Sequence, residues 1–365
     1  MKKVRFSDIF DDITKMATKI PKSQYLSNGI YQIIDQGKTQ IAGYTNKEDG
    51  LFTDVPVIIF GDHTRVFKYV DKPLFLGADG VKLLKAKDKN LNQRYLFYVL
   101  CNVHIPNTGY NRHFKWLKEV EIPIVSFEEQ QKIASVLDKV SDLIALRKQQ
   151  LAKLDELVKS RFIEMFGDPV KNTQKRVVLP LKDLMTNIRY GTSQPPAFSP
   201  NGAYKFVRAT NIKNGHIVPD DMLYISQEEA NKIEKCKLST GEIIIVRSGA
   251  NTGDTCVISP EYSGHYAGYD IIITLNTDVV NPVFLNALLN THYMQLVIKP
   301  LTIRSAQPHL NTKQVQELPI ISVPLDEQNT YVSLLEQTDK SKSTIQKSLA
   351  ETQLLFDSLL QTYFG

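Results

Sequence analysis

The sequence is poor in cysteine and has no long apolar run. Its 365 residues include three cysteines, Cys101, Cys236 and Cys256, and none of them forms a Cys-x-x-Cys pair. Such scattered cysteines argue against a disulfide framework or a zinc site and predict a reducing, cytoplasmic setting. No apolar stretch reaches the roughly 18 residues that a membrane span requires. Lys2 and Lys3 have no apolar stretch behind them, so a signal peptide is not expected.

Motifs for nucleotide and metal chemistry are also missing. The sequence has no Gly-x-x-x-x-Gly-Lys-Ser/Thr phosphate loop, which argues against an ATP-driven motor. The nearest glycine-rich segment, SGANTG at residues 248–253, stands between two strand-like runs and therefore predicts a turn. The seven histidines show no helical pairing, and Asp220 and Asp221 have no supporting lysine. We therefore expect no catalytic residue, no bound metal and no cofactor.

One segment comes close to an amino-methyltransferase motif, which reads Asn/Asp-Pro-Pro-aromatic. Here the sequence is Asn281-Pro282-Val283-Phe284, one residue short of that pattern. Asn is a favoured helix N-cap and Pro fits the first helical turn, so the segment predicts the start of a helix. The corresponding place in the first half, at Asn92, has no proline, which also favours a helix start over an active site.

Charge gives only a weak indication of partners. The sequence contains 44 Lys and Arg against 39 Asp and Glu, a net charge of +5. A mildly basic balance is compatible with nucleic-acid binding but does not require it.

The chain contains an internal repeat. Matching blocks occur in the same order in both halves, with gaps that fit loop insertions. They pair Asp8-Ile9 with Asp183-Leu184, residues 28–31 with 201–204, 57–60 with 243–246, 77–79 with 268–270, 95–100 with 284–289, His113 with His309, Glu121 with Glu317, and Glu129-Gln130 with Glu327-Gln328. Each half therefore predicts a mixed strand and helix segment followed by a tail.

Both tails lack glycine and proline, over residues 128–166 and 325–364. Such stretches predict one long helix each. A 3-4 spacing of apolar positions, typical of a coiled-coil seam, runs along both. The seam positions are Ile133, Leu137, Val140, Ile144, Leu151, Leu154 and Val158 in the first tail, and Tyr331, Leu335, Ile345, Leu349, Phe356 and Leu359 in the second. Polar residues interrupt it at Arg147, Thr338 and Lys342.

These two helices have two possible arrangements. They can pair with each other as an antiparallel coiled coil, or each can pack on its own domain. We favour the pair, because each stripe is too long for a small domain to cover and two such helices can shield each other. A duplicated protein without catalytic motifs is most simply a binder, and two domains on a spacer suit two DNA half-sites at fixed separation.

At this point the sequence resembles a known family. The segments IPIVSFEEQ and LPIISVPLDEQ, each followed by a long helix ending in MFG or YFG, resemble the specificity subunit of type I restriction-modification systems. The segments GEIIIVRSGANTG and SAQPHLNTKQVQELPI are similar to recurrent segments of its second recognition domain. The first domain departs from this pattern, since it has Gly61-Asp62-His63-Thr64 in place of SGANTG.

The resemblance implies an α+β fold, a tandem repeat of two mixed α/β target-recognition domains. The expected boundaries are 1–121 for the first domain, 122–168 for the first helical spacer, 169–317 for the second domain and 318–365 for the second spacer. It implies double-stranded DNA as a partner, read as a bipartite site with a separation set by the helices. It also implies docking of methyltransferase subunits, which bring S-adenosylmethionine, and of ATP-dependent restriction subunits, with no membrane partner and no catalysis by this chain.

We expect DNA to meet side chains that reach phosphates or base edges. In the first domain the candidates are Lys38, His63, Thr64, Arg65, Tyr110, Arg112 and His113. In the second they are Tyr190, Thr192, Arg208, Asn211, Arg247, Ser248, Arg304, Gln307 and His309. The two recurring histidines, His113 and His309, are either packed core or loop residues or DNA-facing donors.

Two other functions stay open on the sequence alone. A divergent DNA methyltransferase would transfer methyl groups as the isolated chain. A protein-binding scaffold would show no sequence preference for DNA even with its partners present.

Overall fold

The structure, a computed structural model, describes residues 2–77, 80–109, 111–303 and 308–365. The chain divides into two compact units. Unit 1 comprises Met1–Leu151 and Thr344–Gly365, and unit 2 comprises Ala152–Ser343. No helix in the described ranges combines the length and the apolarity needed to cross a membrane.

Unit 1 contains two small sheets and a two-stranded pair. Its elements in chain order are β1 (Lys2–Arg5), α1 (Phe6–Ile9), β2 (Phe10–Asp12), β3 (Tyr31–Ile34), β4 (Gly43–Thr45), β5 (Val57–Gly61), β6 (Phe67–Val70), β7 (Leu74–Leu76), β8 (Val81–Ala86), α2 (Gln93–Asn102), α3 (Phe114–Leu117), β9 (Glu121–Ile124) and α4 (Phe127–Phe166), of which α4 continues into unit 2. The sheet orders are β2-β8-β5-β6 and β4-β3-β7, and β1 pairs with β9.

Unit 2 repeats this plan. Its elements are β10 (Val178–Pro180), β11 (Met185–Tyr190), β12 (Tyr204–Val207), β13 (Ile212–Lys213), β14 (His216–Ile217), β15 (Leu223–Ile225), α5 (Gln227–Lys232), β16 (Ile243–Ile245), β17 (Thr255–Val257), β18 (Tyr266–Ala267), β19 (Ile271–Leu275), α6 (Pro282–Leu289), α7 (His292–Leu301), α8 (Thr312–Gln316), β20 (Pro319–Ile321) and α9 (Leu325–Phe364), of which α9 continues into unit 1. The orders β11-β19-β16-β17 and β15-β12-β18, with the pair β10-β20, match those of unit 1.

The repeat predicted from the sequence is confirmed by these strand orders. In both units the middle strand of the three-stranded sheet pairs antiparallel on one side and parallel on the other. Among the described residues, the additions in unit 2 include the hairpin of β13 and β14 and the helices α5 and α7. The insertions that lengthen the second half therefore lie outside the shared framework.

One inner strand of each four-stranded sheet, β5 in unit 1 and β16 in unit 2, is buried on both faces. In β5, Val57 and Ile59 pack into one apolar cluster, whereas Ile58 and Phe60 pack into another. In β16, Ile243 and Ile245 join one cluster and Ile244 joins a different one. Because alternate residues of a strand point to opposite faces, a continuous apolar run is what a sheet covered on both sides requires.

The two breaker-free tails form single helices, as predicted. Both α4 and α9 have 40 residues, which corresponds to roughly 60 Å. In unit 1, Leu137 near the start of α4 shares a core with Leu360 near the end of α9. In unit 2, Phe162 near the end of α4 lies 5.5 Å, centroid to centroid, from Tyr331 near the start of α9. The helices thus pair in antiparallel fashion, start against end, within each unit.

The predicted seam residues lie on the shielded sides of these helices. Ile133, Leu137, Val140 and Tyr331 are buried, and the others, Ile144, Leu151, Leu154, Val158, Leu335, Ile345, Leu349, Phe356 and Leu359, are half-buried. Two of the three polar interruptions, Arg147 and Lys342, have polar partners. In unit 1 the Arg147 guanidinium donates to the Ser348 carbonyl at 2.6 Å, and in unit 2 Lys342 lies 2.6 Å from Asp155.

The predicted domain boundaries remain a prediction. They follow the change in sequence pattern, whereas each compact unit combines one mixed segment with part of both long helices.

Candidate nucleic-acid interface

Each long helix is fixed at its start by a buried glutamine from the repeated Glu-Gln pair. The amide oxygen of Gln130 accepts from the Asn92 backbone N–H at 2.8 Å, and its amide nitrogen donates to the Val125 carbonyl. In unit 2, Gln328 accepts from the Asn281 N–H at 2.7 Å and donates to two carbonyls, those of Val323 and Val279. The repeated glutamine therefore ties α4 to α2 and α9 to α6.

Those two asparagines are helix caps, as the sequence predicted. The Asn281 side chain accepts from the N–H groups of Val283 and Phe284 at the start of α6. Asn92 accepts from Arg94 and Tyr95 in the same way at the start of α2. The Asn-Pro-Val-Phe segment is thus used for capping a helix that packs in the core of unit 2.

In unit 2, two loops meet at glycines and bring several predicted residues together. The loop after β11 begins at Gly191, where a Cβ atom would lie 1.8 Å from the Gly268 carbonyl oxygen. Only glycine permits this approach of two backbones. Across it, the Gly191 N–H donates to the Asp270 carbonyl at 2.9 Å. The contact places Tyr190 and Thr192 beside Tyr269.

Arg247 is held beneath two tyrosine rings. Its guanidinium carbon lies 4.4 Å from the Tyr190 ring centroid and 4.0 Å from that of Tyr269. The side chain also forms a hydrogen bond with the His309 ring, and the Arg247 N–H donates to Asp270 Oδ1 at 3.1 Å. Arg247 is only 6% exposed, whereas Tyr190 and Tyr269 are 38% and 45% exposed. The tyrosines, rather than the arginine, form the outer surface of this cluster.

A cleft of about 300 Å³ opens beside this cluster. Its lining includes three predicted residues, Thr192, Arg208 and Ser248, together with Tyr269 and Asp270. The turn that follows Ser248 is confirmed, since both the backbone N–H and the hydroxyl of Thr252 donate to the Gly249 carbonyl. Sequence-predicted polar residues from separate segments of the chain are therefore gathered at one site.

The acid at this cleft has a perturbed affinity for protons. Asp270 is 4% exposed, and burial raises its pKa to about 6, although the Arg247 backbone hydrogen bond and charge act in the opposite direction. At neutral pH the carboxylate is therefore ionised but close to its titration range.

In unit 1 the predicted residues gather around the turn between β5 and β6. The His63 N–H donates to the Gln36 side chain, and the Thr64 hydroxyl donates to the Gln36 carbonyl at 2.6 Å. Arg65 has a positive φ of 61° and its guanidinium donates to the Ile105 carbonyl at 3.2 Å. Lys38, two residues after Gln36, and Arg112 are exposed. This turn is a compact counterpart of the cleft in unit 2.

Two predicted residues are occupied by the framework. His113 is 0% exposed, and both its backbone N–H and its ring nitrogen Nδ1 lie 2.9 Å from the Asp62 carbonyl. Asn211 is also 0% exposed and bonds the Arg208 N–H and the Asp220 carbonyl. Because burial leaves these side chains no surface for DNA, we assign them to the framework. Tyr110, Arg304 and Gln307 lie outside the described residues.

The structure adds residues that the sequence analysis did not select. Tyr269 and Asp270 complete the site in unit 2, and Gln130 and Gln328 fix the helices. The repeated Glu-Gln pair was visible as a signal for the glutamines. Nothing in the sequence marks Tyr269, because its role depends on the approach of Gly191 to Gly268. Within the described ranges there is no group of three His, Cys, Asp or Glu side chains that could hold a metal ion.

Comparisons with known proteins identify the family. A model of the type I restriction modification DNA specificity domain matches residues 1–156 and 175–353. The type I restriction enzyme MjaVIII specificity subunit of Methanocaldococcus jannaschii is 23% identical over 361 residues, which cover 89% of this chain and 82% of that protein. The EcoR124I/EcoR124II specificity subunit of Escherichia coli is 29% identical over 126 residues, 31% of each chain.

Solved structures show the same fold. The crystal structure of the type I restriction-modification S subunit from M. genitalium matches with a TM-score of 0.62 at 18% identity, over 100% of this chain and 96% of that one. A chain from a structure describing complex assembly and conformational transition of the type I R-M system matches with a TM-score of 0.56 at 17% identity, over 100% and 97%. With the family model covering most of both halves, the chain belongs to the type I restriction-modification DNA specificity family.

Proposed function

We propose that this chain is the non-catalytic sequence-specificity subunit of a type I restriction-modification complex, in which its two mixed domains each read one half of a bipartite DNA site. The observation that carries the proposal is a framework that occurs twice with different loops. The sheet orders of the two units agree, whereas the cleft of unit 2 has a compact turn as its counterpart in unit 1. Two different surfaces on one repeated framework suit two different half-sites.

The DNA-facing surfaces are proposed to be the two loop clusters. In unit 1 they comprise Lys38, His63, Thr64, Arg65 and Arg112, and in unit 2 Tyr190, Thr192, Arg208, Arg247, Ser248 and His309. The sequence-based candidates Tyr110, Arg304 and Gln307 are retained in the same proposal. Lysine and arginine supply charge for phosphates, and polar side chains supply donors and acceptors for base edges.

The paired helices are proposed to set the separation of the two half-sites. Two facts support this role: α4 and α9 are each a single 40-residue helix, and they pack against each other within both units. A helix without breakers that is shielded along one side is a stiff element, so the length between its ends is fixed.

Methyltransferase subunits are proposed to dock on the outer faces of these helices and to bring S-adenosylmethionine, and ATP-dependent restriction subunits are proposed to join them in the cytoplasm. Within unit 1, Leu143, Leu146, Leu354 and Leu355 are exposed on the two helices. Exposed apolar side chains on a helix are typical of surfaces that a protein partner covers.

A binding and activity assay tests the proposal. The purified chain would be mixed with duplexes carrying a split site, with and without its modification subunits, and both binding and methyl transfer would be measured at several salt concentrations. We expect sequence-selective, salt-dependent binding, and methyl transfer only when the modification subunits are present. Methyl transfer by the chain alone would support a divergent methyltransferase instead. Absence of any sequence preference in the full complex would support a scaffold.

A further inference from the structure

The arginines of unit 2 divide into two groups by their ion pairing. Of those that the structure describes, three lie within 4 Å of a carboxylate: Arg161 with Glu164, Arg176 with Glu327 and Arg189 with Glu242. Among the described residues, no carboxylate oxygen lies within that distance of the guanidinium nitrogens of Arg208 or Arg247, although the backbone N–H of Arg247 donates to Asp270. Both of these arginines belong to the cleft region.

The same two arginines have hydrogen-bonding capacity left over. For each, the Nε–H is buried and has no acceptor in the part of the chain that the structure describes. Arg208 uses one of its other nitrogens to donate to the Asp221 carbonyl, and Arg247 uses one for the His309 ring. A buried cation with an unsatisfied donor is unfavourable unless an anion or acceptor joins it.

The Arg208 guanidinium borders the cleft, and the Arg247 guanidinium lies behind residues that line it. Arg208 lines the cleft directly, and Arg247 precedes Ser248 and lies under the ring of Tyr269, two residues that also line it. The Tyr269 ring is 45% exposed, and it contacts the Arg247 guanidinium and the Tyr190 ring. An anion entering between Ser248 and Tyr269 would therefore reach Arg208 first and Arg247 after a rotation of that ring.

Resting on the proposed function, we propose that this cleft binds one backbone phosphate of the DNA, held by Arg208 and Arg247, and so positions the second domain instead of reading a base. The planar guanidinium matches phosphate oxygens with two parallel donors, and such charge-assisted bonds are the strong ones. Asp270 is the one carboxylate in the lining. Its raised pKa of about 6 means that mild acidification removes the opposing charge and should tighten binding at this site.

Neutralising single phosphates tests the inference. Methylphosphonates, which remove one charge each, would be placed in turn at every position of the half-site read by unit 2, and binding by the complex with its modification subunits would be measured by anisotropy. One position should weaken wild-type binding about tenfold. The variants Arg208→Gln and Arg247→Gln should each bind unmodified DNA more weakly than the wild type. In both variants that methylphosphonate should have no further effect on binding. The slope of the logarithm of the binding constant against the logarithm of the salt concentration should be smaller by about one.

The matched control is Lys205→Gln. Lys205 also belongs to unit 2, but its ammonium is paired with Glu261 at 2.6 Å, so the methylphosphonate effect should persist in this variant. Arg208→Lys, which keeps the charge, should retain part of the effect. Thermal unfolding of each variant separates a binding defect from a folding defect.

Two outcomes would overturn the inference. In the first, 7-deazaguanine at a single position weakens wild-type binding, no methylphosphonate does so, and the arginine variants no longer respond to the 7-deazaguanine. The arginines would then read a base. The other is that sequence-selective binding persists with no coupling between either arginine and any phosphate. Both leave the proposed function standing. Loss of all sequence preference in the wild-type complex would instead contradict the proposed function itself.

Discussion

The loop clusters of the two units differ far more than the sheets that carry them. In unit 2, residues from separate loops surround an open cleft, and a buried arginine lies under two exposed tyrosines. In unit 1 the corresponding turn is closed onto Gln36, and the cation next to it, Lys68, is 2% exposed and paired with Asp35. The sheets therefore have the same arrangement in both units because the fold depends on them, whereas the loops at the strand ends differ in sequence and structure. Recognition of two unlike half-sites requires such a difference between the loops.

The shared parts have a common physical reason. The strands β5 and β16 are buried on both faces, and each junction glutamine is itself buried and bonds partly buried backbone groups. Changing either leaves a cavity or an unsatisfied polar group, both of which are destabilising. Exposed loop residues such as Lys38 and Arg112 carry no such penalty.

The largest expected effect comes from the element that both units share. Inserting four residues after Leu151 in α4 adds about one helical turn and displaces the seam relative to α9. We expect modification at the original site to be lost, or the spacer of the recognised site to change. The measurement is the methylation pattern produced by the complex.

The matched control for this insertion uses the antiparallel pairing. A second four-residue insertion after Ile345 in α9 restores the register, because Arg147 faces Ser348 and Asp155 faces Lys342. Recovery of methylation with a longer spacer is expected in the double insertion. An unchanged spacer with full activity in the single insertion would show that the helices do not determine the distance.

A smaller effect is expected from the acid that distinguishes the cleft of unit 2. The pKa of Asp270 is about 6 when folded against an ordinary 3.8, so its contribution favours the folded state below about pH 4 and is lost as pH rises through 6. The Cys256 thiol, which is close enough to interact electrostatically with Asp270, does not titrate in this range, because burial raises its pKa to about 12. Asp270→Asn should therefore gain roughly 3 kcal/mol relative to wild type between pH 4 and 7.5.

Denaturant unfolding at a series of pH values measures this difference. Asp221→Asn, which removes a carboxylate from an exposed position in the same unit, serves as the control. A constant difference between Asp270→Asn and wild type at every pH would mean that the raised pKa is wrong.

The two junction glutamines give the smallest and most direct comparison. Gln328→Ala leaves three backbone groups without their bonds, and Gln130→Ala leaves two. We expect losses of about 2 to 3 kcal/mol and about 1 to 2 kcal/mol, respectively. Gln131→Ala, at an exposed neighbouring position, is the control. Equal effects of all three substitutions on the free energy of unfolding would contradict the proposed role.

Much of this fold was predictable from the sequence because it depends on local patterns. The absence of Gly and Pro predicted both long helices, the 3-4 spacing predicted their shielded side, and Asn92 and Asn281 predicted two helix starts. The repeat predicted a common framework. These features depend on residues close together in the chain or on the comparison of two halves.

The site was less predictable because it depends on contacts between distant loops. The sequence indicated Arg208, Arg247 and Ser248, but not that Tyr269 covers Arg247 or that Gly191 approaches Gly268. It also did not distinguish His113, which is buried against Asp62, from a DNA-facing histidine. Polar residues of one type serve the framework or the surface according to the loop geometry around them.

The most direct test of a two-domain reader is to sequence the methylome of cells with and without this gene. We predict one bipartite motif, two short specific sequences separated by a fixed number of unspecified bases, that is methylated only when the gene is present. An unchanged methylome, or a gene-dependent motif that is short and continuous, would contradict the account.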